Sequence, residues 1–412
     1  MSTPRTIKRL IACFGSIQLV TVLSVLSYRE KEEQELNINY ENYLVITPLW
    51  APQGQAEEFA AFIEKMAKSI CSWEKISYIP LEQMKLIANK LKIFGLSRIS
   101  CLVHELIGVK NPDEIYLSRE WKFENQLLMN VYESAEKICY GDGIGIYFSE
   151  SAFLPPVSVK SSNSYSNTIL TLLKNKIKVL VPQRRFLVQK EFDVGYFALP
   201  SAFGEVPPMK IILIDRKFHI QIFKILRQKL ESLIDLNYTH DLRTSIQNSP
   251  VSILLTSNFS EAAGRMSLEK EICAYREFLE TQGIPEKSVL LIKPHPRDSK
   301  LKILQLKSAL SDLYSNIFLL SEEILFYLPF EVLFMELFLS PELQKLQMPK
   351  IFTFSSACLT LEFLFNAQCI VGFGSDIVEK FFYQDHISSR IKHEADLLST
   401  IQNVKHLNAS LV

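Results

Sequence analysis

Apolar residues recur along this chain with two alternating periods. Short runs rich in Val, Ile, Leu, Tyr and Phe read as strands, and longer stretches with apolar positions three and four apart read as helices. In the first half this predicts a strand at Tyr43 to Thr47, an amphipathic helix at Ala56 to Cys71, a strand at Ile76 to Ile79 and a helix at Leu81 to Phe94. A strand at Asp113 to Leu117, a helix near Glu124 to Glu136 and a strand beginning at Lys137 to Tyr140 continue the alternation. In the second half, strands are expected at Met209 to Ile214, Val251 to Thr256, Ser288 to Ile292, Ile351 to Phe354 and Cys369 to Gly374. Between them lie expected helices at Phe218 to Ile234, after the N-cap Ser267, after an N-cap at Asp298, and at Ala357 to Phe365. Strands alternating with helices of this length build right-handed βαβ units on parallel sheets. The fold class is therefore α/β, with two Rossmann-like doubly wound domains.

The breaks in the pattern set the expected organisation. A chain of 412 residues exceeds the usual single core. From Ser149 to Thr168 the sequence turns serine-rich, which reads as a loop acting as a lid over a cleft. Leu199-Pro200 to Pro207-Pro208 reads as the interdomain linker. The domains are placed at residues 1–205, 206–385 and a C-terminal helix at 386–412. Within the last, Ser389 to Leu407 is amphipathic and free to pack back on the first domain.

The N-terminus allows two readings. Leu10 to Tyr28 carries no charge and follows Arg5, Lys8 and Arg9, a pattern shared with signal sequences and membrane anchors. Gly15, Ser16, Gln18, Ser24 and Ser27 interrupt the run, however, and no cleavage site stands out. A buried strand from Lys8 to Phe14, a Gly15-Ser16 turn and a helix from Ile17 to Tyr28 is the preferred reading. The expected location is the cytoplasm, with peripheral attachment to the inner face of the membrane as the alternative.

Composition narrows the classes. Hydrophobic residues at 48% and charged ones at 22% describe an ordinary globular protein. Lysine plus arginine equal aspartate plus glutamate, 45 each, so no global field points to nucleic acid as a partner. The seven cysteines are widely spaced and mostly apolar in context, as expected of buried free thiols, and no zinc pattern is present.

Candidate chemistry gathers at strand ends. The expected strand at Ser288 to Ile292 runs into Lys293-Pro294-His295-Pro296-Arg297. Prolines on both sides hold His295 extended, and the neighbouring cations with a titratable imidazole suit a phosphate ester. A surface histidine in a proline-rich turn is the plainer alternative. Ser355-Ser356 opens an almost uncharged helix, where paired hydroxyls and free amides would bind phosphate or simply cap the helix. In the first half, Tyr140-Gly141-Asp142-Gly143-Ile144-Gly145 presents one carboxylate on a glycine turn, although Asp-Gly is also a common turn dipeptide.

Two α/β domains with an acidic turn in the first and two phosphate-type turns in the second are the arrangement of a GT-B glycosyltransferase, with the active site in the cleft between them. The order D-G, K-P-H-P, S-S resembles the bacterial sialyltransferases of the polysialyltransferase and lipooligosaccharide sialyltransferase type. G-S-I-Q-L after the first strand, T-S-N-F-S-E followed by S-L-E-K-E-I, and L-P-F-E-V-L are similar as well. The resemblance implies Asp142 as general base on the acceptor and His295 as general acid or hydrogen-bond donor on the departing CMP phosphate. It implies substrate-binding positions at Lys293, Pro296, Arg297, Ser355 and Ser356, and at Ser16 and Gln18 in the G-S-I-Q-L stretch. A CMP-sialic acid or related CMP-sugar donor and a glycan acceptor are the implied partners, and no metal or other cofactor is implied. Gly141 departs from the family motif, which carries an acidic residue there. The alternatives are another nucleotide-dependent transferase of cell-surface polymer synthesis, using CMP-Kdo or a CDP-polyol, or a catalytically silent nucleotide- or glycan-binding protein.

Overall fold

The computed structural model describes residues 5–47, 51–52, 54–118, 122–144, 187–200, 207–247, 249–320, 323–339 and 348–410. The first elements are β1 (Arg5–Cys13), α1 (Ser16–Glu32), β2 (Ile38–Ile46), α2 (Ala56–Ile70), β3 (Lys75–Tyr78), α3 (Leu81–Phe94), α4 (Leu96–Ile107), β4 (Glu114–Leu117), α5 (Phe123–Val131), β5 (Glu136–Cys139), β6 (Val194–Phe197) and β7 (Lys210–Leu213). They are followed by α6 (Lys217–Gln228), α7 (Leu230–Leu233), α8 (Leu236–Ile246), β8 (Val251–Leu255), α9 (Leu268–Glu280), β9 (Val289–Lys293), α10 (Lys300–Ala309) and β10 (Asn316–Leu319). The last are α11 (Glu323–Tyr327), α12 (Phe330–Phe338), β11 (Lys350–Thr353), α13 (Ala357–Phe365), β12 (Cys369–Val371), α14 (Ser375–Phe381) and α15 (Gln384–Ser410).

Two parallel sheets result. One runs β3-β2-β1-β4-β5-β6-β7 and the other β10-β9-β8-β11-β12. Each is doubly wound, because the chain starts at an inner strand, steps outward on one side, then returns to build the other side. Contacts group Met1–Phe14, Val25–Pro48 and Ser72–Ile214 into one unit, and Gly15–Ser24, Leu49–Cys71 and Asp215–Val412 into a second. Helix α2 and the first half of α1 therefore belong to the second unit despite their early place in the sequence.

The N-terminal run is a strand and a buried helix. β1 pairs with β2 over nine positions and with β4 on its other side. In α1, Leu19, Val20, Val22, Leu23, Val25 and Leu26 are all buried. Burial on all sides is what a core helix shows, and no helix among the described residues is long and apolar enough to cross a membrane. Arg9 is a core residue: it is fully buried beside Glu114 (3.4 Å) and donates to Glu30 (2.9 Å).

Two expectations need correction. The strand at Met209 to Ile214 does not open the second domain; β7 pairs with β6 as the outer strand of the first sheet. The sequence hides β6 because Asp193 and Gly195 break its apolar run, so β7 had no visible partner. The proline-rich stretch at 199–208 thus joins two strands of one sheet, and the second unit begins at Asp215. The tail helix α15 packs within the second unit, where Arg390 donates to the Phe354 carbonyl (3.3 Å) and Glu394 accepts from the Phe373 and Gly374 amides. Finally, the serine-rich stretch at 149–168 lies outside the described residues.

Candidate active site

The second sheet reverses its winding at β8, with β9 on one side and β11 on the other. Loops leaving the carboxyl ends of strands at such a switch point border the usual ligand crevice of a doubly wound sheet. Three loops meet these terms: Thr256-Ser257-Asn258 after β8, Pro294 to Arg297 after β9, and Ser355-Ser356 after β11. The β8 loop is bonded to both neighbours. The Thr256 amide donates to the Lys293 carbonyl (3.1 Å), and Ser257 Oγ donates to the Phe354 carbonyl (3.3 Å).

The His295 turn is closed by hydrogen bonds at each end. The His295 amide donates to Thr256 Oγ1 (2.8 Å) and to Asp298 Oδ2 (3.0 Å), while the Asp298 amide donates back to the His295 carbonyl (2.8 Å). Within the turn, the Arg297 amide donates to His295 Nδ1 (3.1 Å). Nδ1 is therefore an acceptor, and the ring proton sits on Nε2. Burial lowers His295 to about 4, with the Arg297 and Lys302 charges acting the same way against the opposing pull of Asp298. At neutral pH the imidazole is thus uncharged, and Nε2–H is a hydrogen-bond donor.

Beneath the turn lies a charge network that sequence reasoning missed. Lys302 is 1% exposed, and its Nζ donates to Glu271 Oε1 (2.5 Å), Asp298 Oδ1 (2.7 Å) and the Ser257 carbonyl (2.9 Å). Glu271 also accepts from the Phe259 amide (3.2 Å) and the Ser260 amide (2.8 Å), and Asn258 Nδ2 donates to Asp298 (2.9 Å). Asp298 is not the N-cap expected from the sequence; Ser299 caps α10 by accepting from the Lys302 amide. The Ser299 amide is itself taken by Glu261 (2.8 Å), so a carboxylate already sits beside this helix start. The available sign was Asp298 and Lys302 four apart across the start of α10, a favourable ion-pair spacing.

The remaining predicted residues divide into two groups. Lys293 does not face the turn: Nζ donates to the Leu325 (2.9 Å) and Phe326 (3.1 Å) carbonyls. Burial pushes it down to about 7 despite the nearby Glu331 carboxylate, itself raised by burial to about 7. Pro296 and Arg297 line a cleft of about 450 Å³ with the first turn of α10, Leu319 and Phe326. Arg297 is exposed and its guanidinium has no partner among the described residues.

Ser355 and Ser356 are half-buried at the start of α13. Ser356 makes no capping bond, and neither hydroxyl donates to or accepts from another group among the described residues. The plain capping role is therefore unused. The strand end below them is rigid, since the Phe354 ring lies 4.1 Å from that of Phe373 and 5.0 Å from that of Tyr275.

Asp142 lies in the first unit, in the turn after β5, and is buried. Tyr140 anchors this turn by donating from its hydroxyl to the Ala12 carbonyl at the end of β1 (2.7 Å). Gly141 has φ +84°, a conformation strained for any residue bearing a side chain. Gly145 lies outside the described residues. Ser16 begins α1 half-buried, and Gln18 is buried two residues further on. His295, Pro296, Arg297, Ser355 and Ser356 thus share one sheet edge, while Asp142 stands on the other sheet. Among the described residues, no three His, Cys, Asp or Glu side chains are grouped to hold a metal ion.

A family model described as Alpha-2,8-polysialyltransferase (POLYST) matches residues 9–336. No curated protein sequence matches the chain. Among solved structures the chain is similar to MnaA of S. aureus in complex with UDP, at 11% identity and TM-score 0.46 over 96% of this chain and 88% of that one. It is similar to UDP-GlcNAc 2-epimerase from Neisseria meningitidis bound to UDP-GlcNAc, at 12% identity and TM-score 0.44 over 97% and 93%. For UDP-GlcNAc 2-epimerase from Methanocaldococcus jannaschii the values are 11%, 0.42, and 91% of both chains. At these values the fold rests on the two parallel sheets themselves.

Proposed function

The chain belongs to the alpha-2,8-polysialyltransferase family, and from that premise we propose that this glycosyltransferase moves sialic acid, or a related nonulosonic acid, from a CMP-linked donor to a glycan acceptor. The observation that carries the proposal is the pair of unbonded hydroxyls, Ser355 and Ser356, across the β8 loop from a neutral imidazole. In this reading the donor phosphate lies between them. As the bond from the sugar to the phosphate oxygen breaks, charge grows on that phosphate. His295 Nε2–H, the two hydroxyls and the first amides of α13 stabilise it, each worth more in a site from which water is excluded. Asp142 accepts the proton of the attacking acceptor hydroxyl, and the two Rossmann-like domains act as a GT-B pair.

Lys293 contributes at one remove, by tying the end of β9 to α11. Arg297 and Pro296 border the donor, and Ser16 and Gln18 are assigned to substrate binding. No metal enters this scheme, so turnover is expected to persist in a chelator.

The test is incubation with CMP-sialic acid, CMP-Kdo and CDP-glycerol, following nucleotide release with and without glycan acceptors. CMP release from CMP-sialic acid, increased by an acceptor, is the expected result. Turnover confined to CDP-glycerol would assign a polyol-phosphate polymerase instead. CMP binding without any sugar release would make Gly141 the mark of a silent binding protein.

A further inference from the structure

We infer that Asp298 is the positioning residue of the His295 turn, closing it from both ends and thereby deciding which imidazole nitrogen carries the proton. The inference rests on the role proposed for His295. Asp298 uses its amide to bind the His295 carbonyl (2.8 Å) and its Oδ2 to accept the His295 amide (3.0 Å). The same Oδ2 accepts from Thr256 Oγ1 (2.6 Å), whose oxygen is the other acceptor of the His295 amide. This doubly closed turn is what delivers the Arg297 amide to Nδ1 at 3.1 Å. If the turn opens, Nδ1 loses its donor, and the ring is free to rotate or exchange tautomers. Nε2 then donates for only part of the time.

Asp298 is suited to this because its own geometry is fixed from below. Oδ1 accepts from Lys302 Nζ (2.7 Å) and Asn258 Nδ2 (2.9 Å), so both carboxylate oxygens act only as acceptors. An asparagine at this position would turn one acceptor into a donor, facing either the Lys302 ammonium or the His295 amide and Thr256 hydroxyl. Glu271 supplies the natural control. It is buried and bonded to the same ammonium, but among the described residues it makes no hydrogen bond to the turn.

The experiment uses the full-length protein with ¹⁵N-labelled histidine, His295→Gln serving to assign the ring signals. The wild type is expected to show Nδ1 unprotonated and Nε2 protonated. In Asp298→Asn the His295 signals are expected to move toward a mixture of tautomers, and kcat to fall by about 10²-fold, the cost of a small misplacement. The CMP dissociation constant should change far less. Should Asp298→Asn not fold, Thr256→Val removes one acceptor of the His295 amide and is expected to shift the same signals, with Thr256→Ser restoring them. Glu271→Gln is expected to lower stability while leaving the tautomer and kcat intact. A folded Asp298→Asn, or failing that Thr256→Val, with wild-type His295 signals and wild-type kcat would overturn the inference, as would a tautomer change of the same size in Glu271→Gln. If the wild type released CMP from no donor, the functional proposal would fail, and the nitrogen signals alone would still decide the role of Asp298.

Discussion

His219 and His295 are both held near 4 by burial, yet they differ in what surrounds them. His295 has a defined acceptor role at Nδ1, whereas His219, on α6, is 1% exposed with no partner on either nitrogen among the described residues. In the unfolded chain an imidazole binds a proton below about 6.5. The folded protein refuses that proton until about 4, so the unfolded state holds more protons across this window. The associated stability is fully present above pH 6.5 and is lost as pH falls toward 4. For His219 the loss is about 3 kcal/mol at one pH unit per 1.36 kcal/mol. His219→Leu, which removes two buried orphan nitrogens, is expected to fold normally at pH 7.5 and to flatten the acid decline. Urea unfolding at pH 7.5 and pH 5 measures this, and an unchanged decline would show that other groups carry it. At this scale the sequence is a partial guide. His295 stands out because prolines flank it, but the burial of Lys302 depends on the β8 loop, which no local pattern announces.

At the scale of elements, long periodic stretches were legible and interrupted ones were not. β8, β9 and β11 were evident as apolar runs because strands in a parallel sheet are covered on both faces. β6 was obscured by Asp193 and Gly195, and α4 by its junction with α3 at Gly95, whose φ of +77° ends one helix and starts the next. The orientation of Lys293 was hidden too, since its acceptors are carbonyls of α11, an element absent from the sequence reading. The Ser355-Ser356 prediction belongs here. Because neither hydroxyl caps α13, replacing both by alanine should leave thermal stability nearly unchanged. CMP binding should weaken by about 1 to 3 kcal/mol, the range for lost hydrogen bonds to a charged group. Calorimetry that found full CMP affinity, or unfolding that found a large stability loss, would return the pair to a structural role.

For the whole molecule, the alternation of strands and helices was enough to establish two doubly wound sheets, but not where the first ends. That boundary depends on which strand β7 joins, and pairing is a property of the assembled sheet. The N-terminal ambiguity is resolved by the same assembly, because β1 lies between β2 and β4. Deleting residues 8–28 removes an inner strand and its buried helix, so the expected product is insoluble or unfolded by circular dichroism. A soluble deletion with native circular dichroism would contradict that account.

The central claim is a division of labour, with leaving-group stabilisation on one sheet and acceptor activation on the other. It is tested most directly by measuring donor hydrolysis and glycan transfer side by side in His295→Ala and Asp142→Asn. Loss of His295 removes stabilisation for any nucleophile, so both reactions should fall by about 10² to 10⁴-fold. Loss of the Asp142 carboxylate should reduce transfer by a similar factor while CMP affinity is retained. Transfer at the wild-type rate by Asp142→Asn, or donor hydrolysis at the wild-type rate by His295→Ala, would contradict the account.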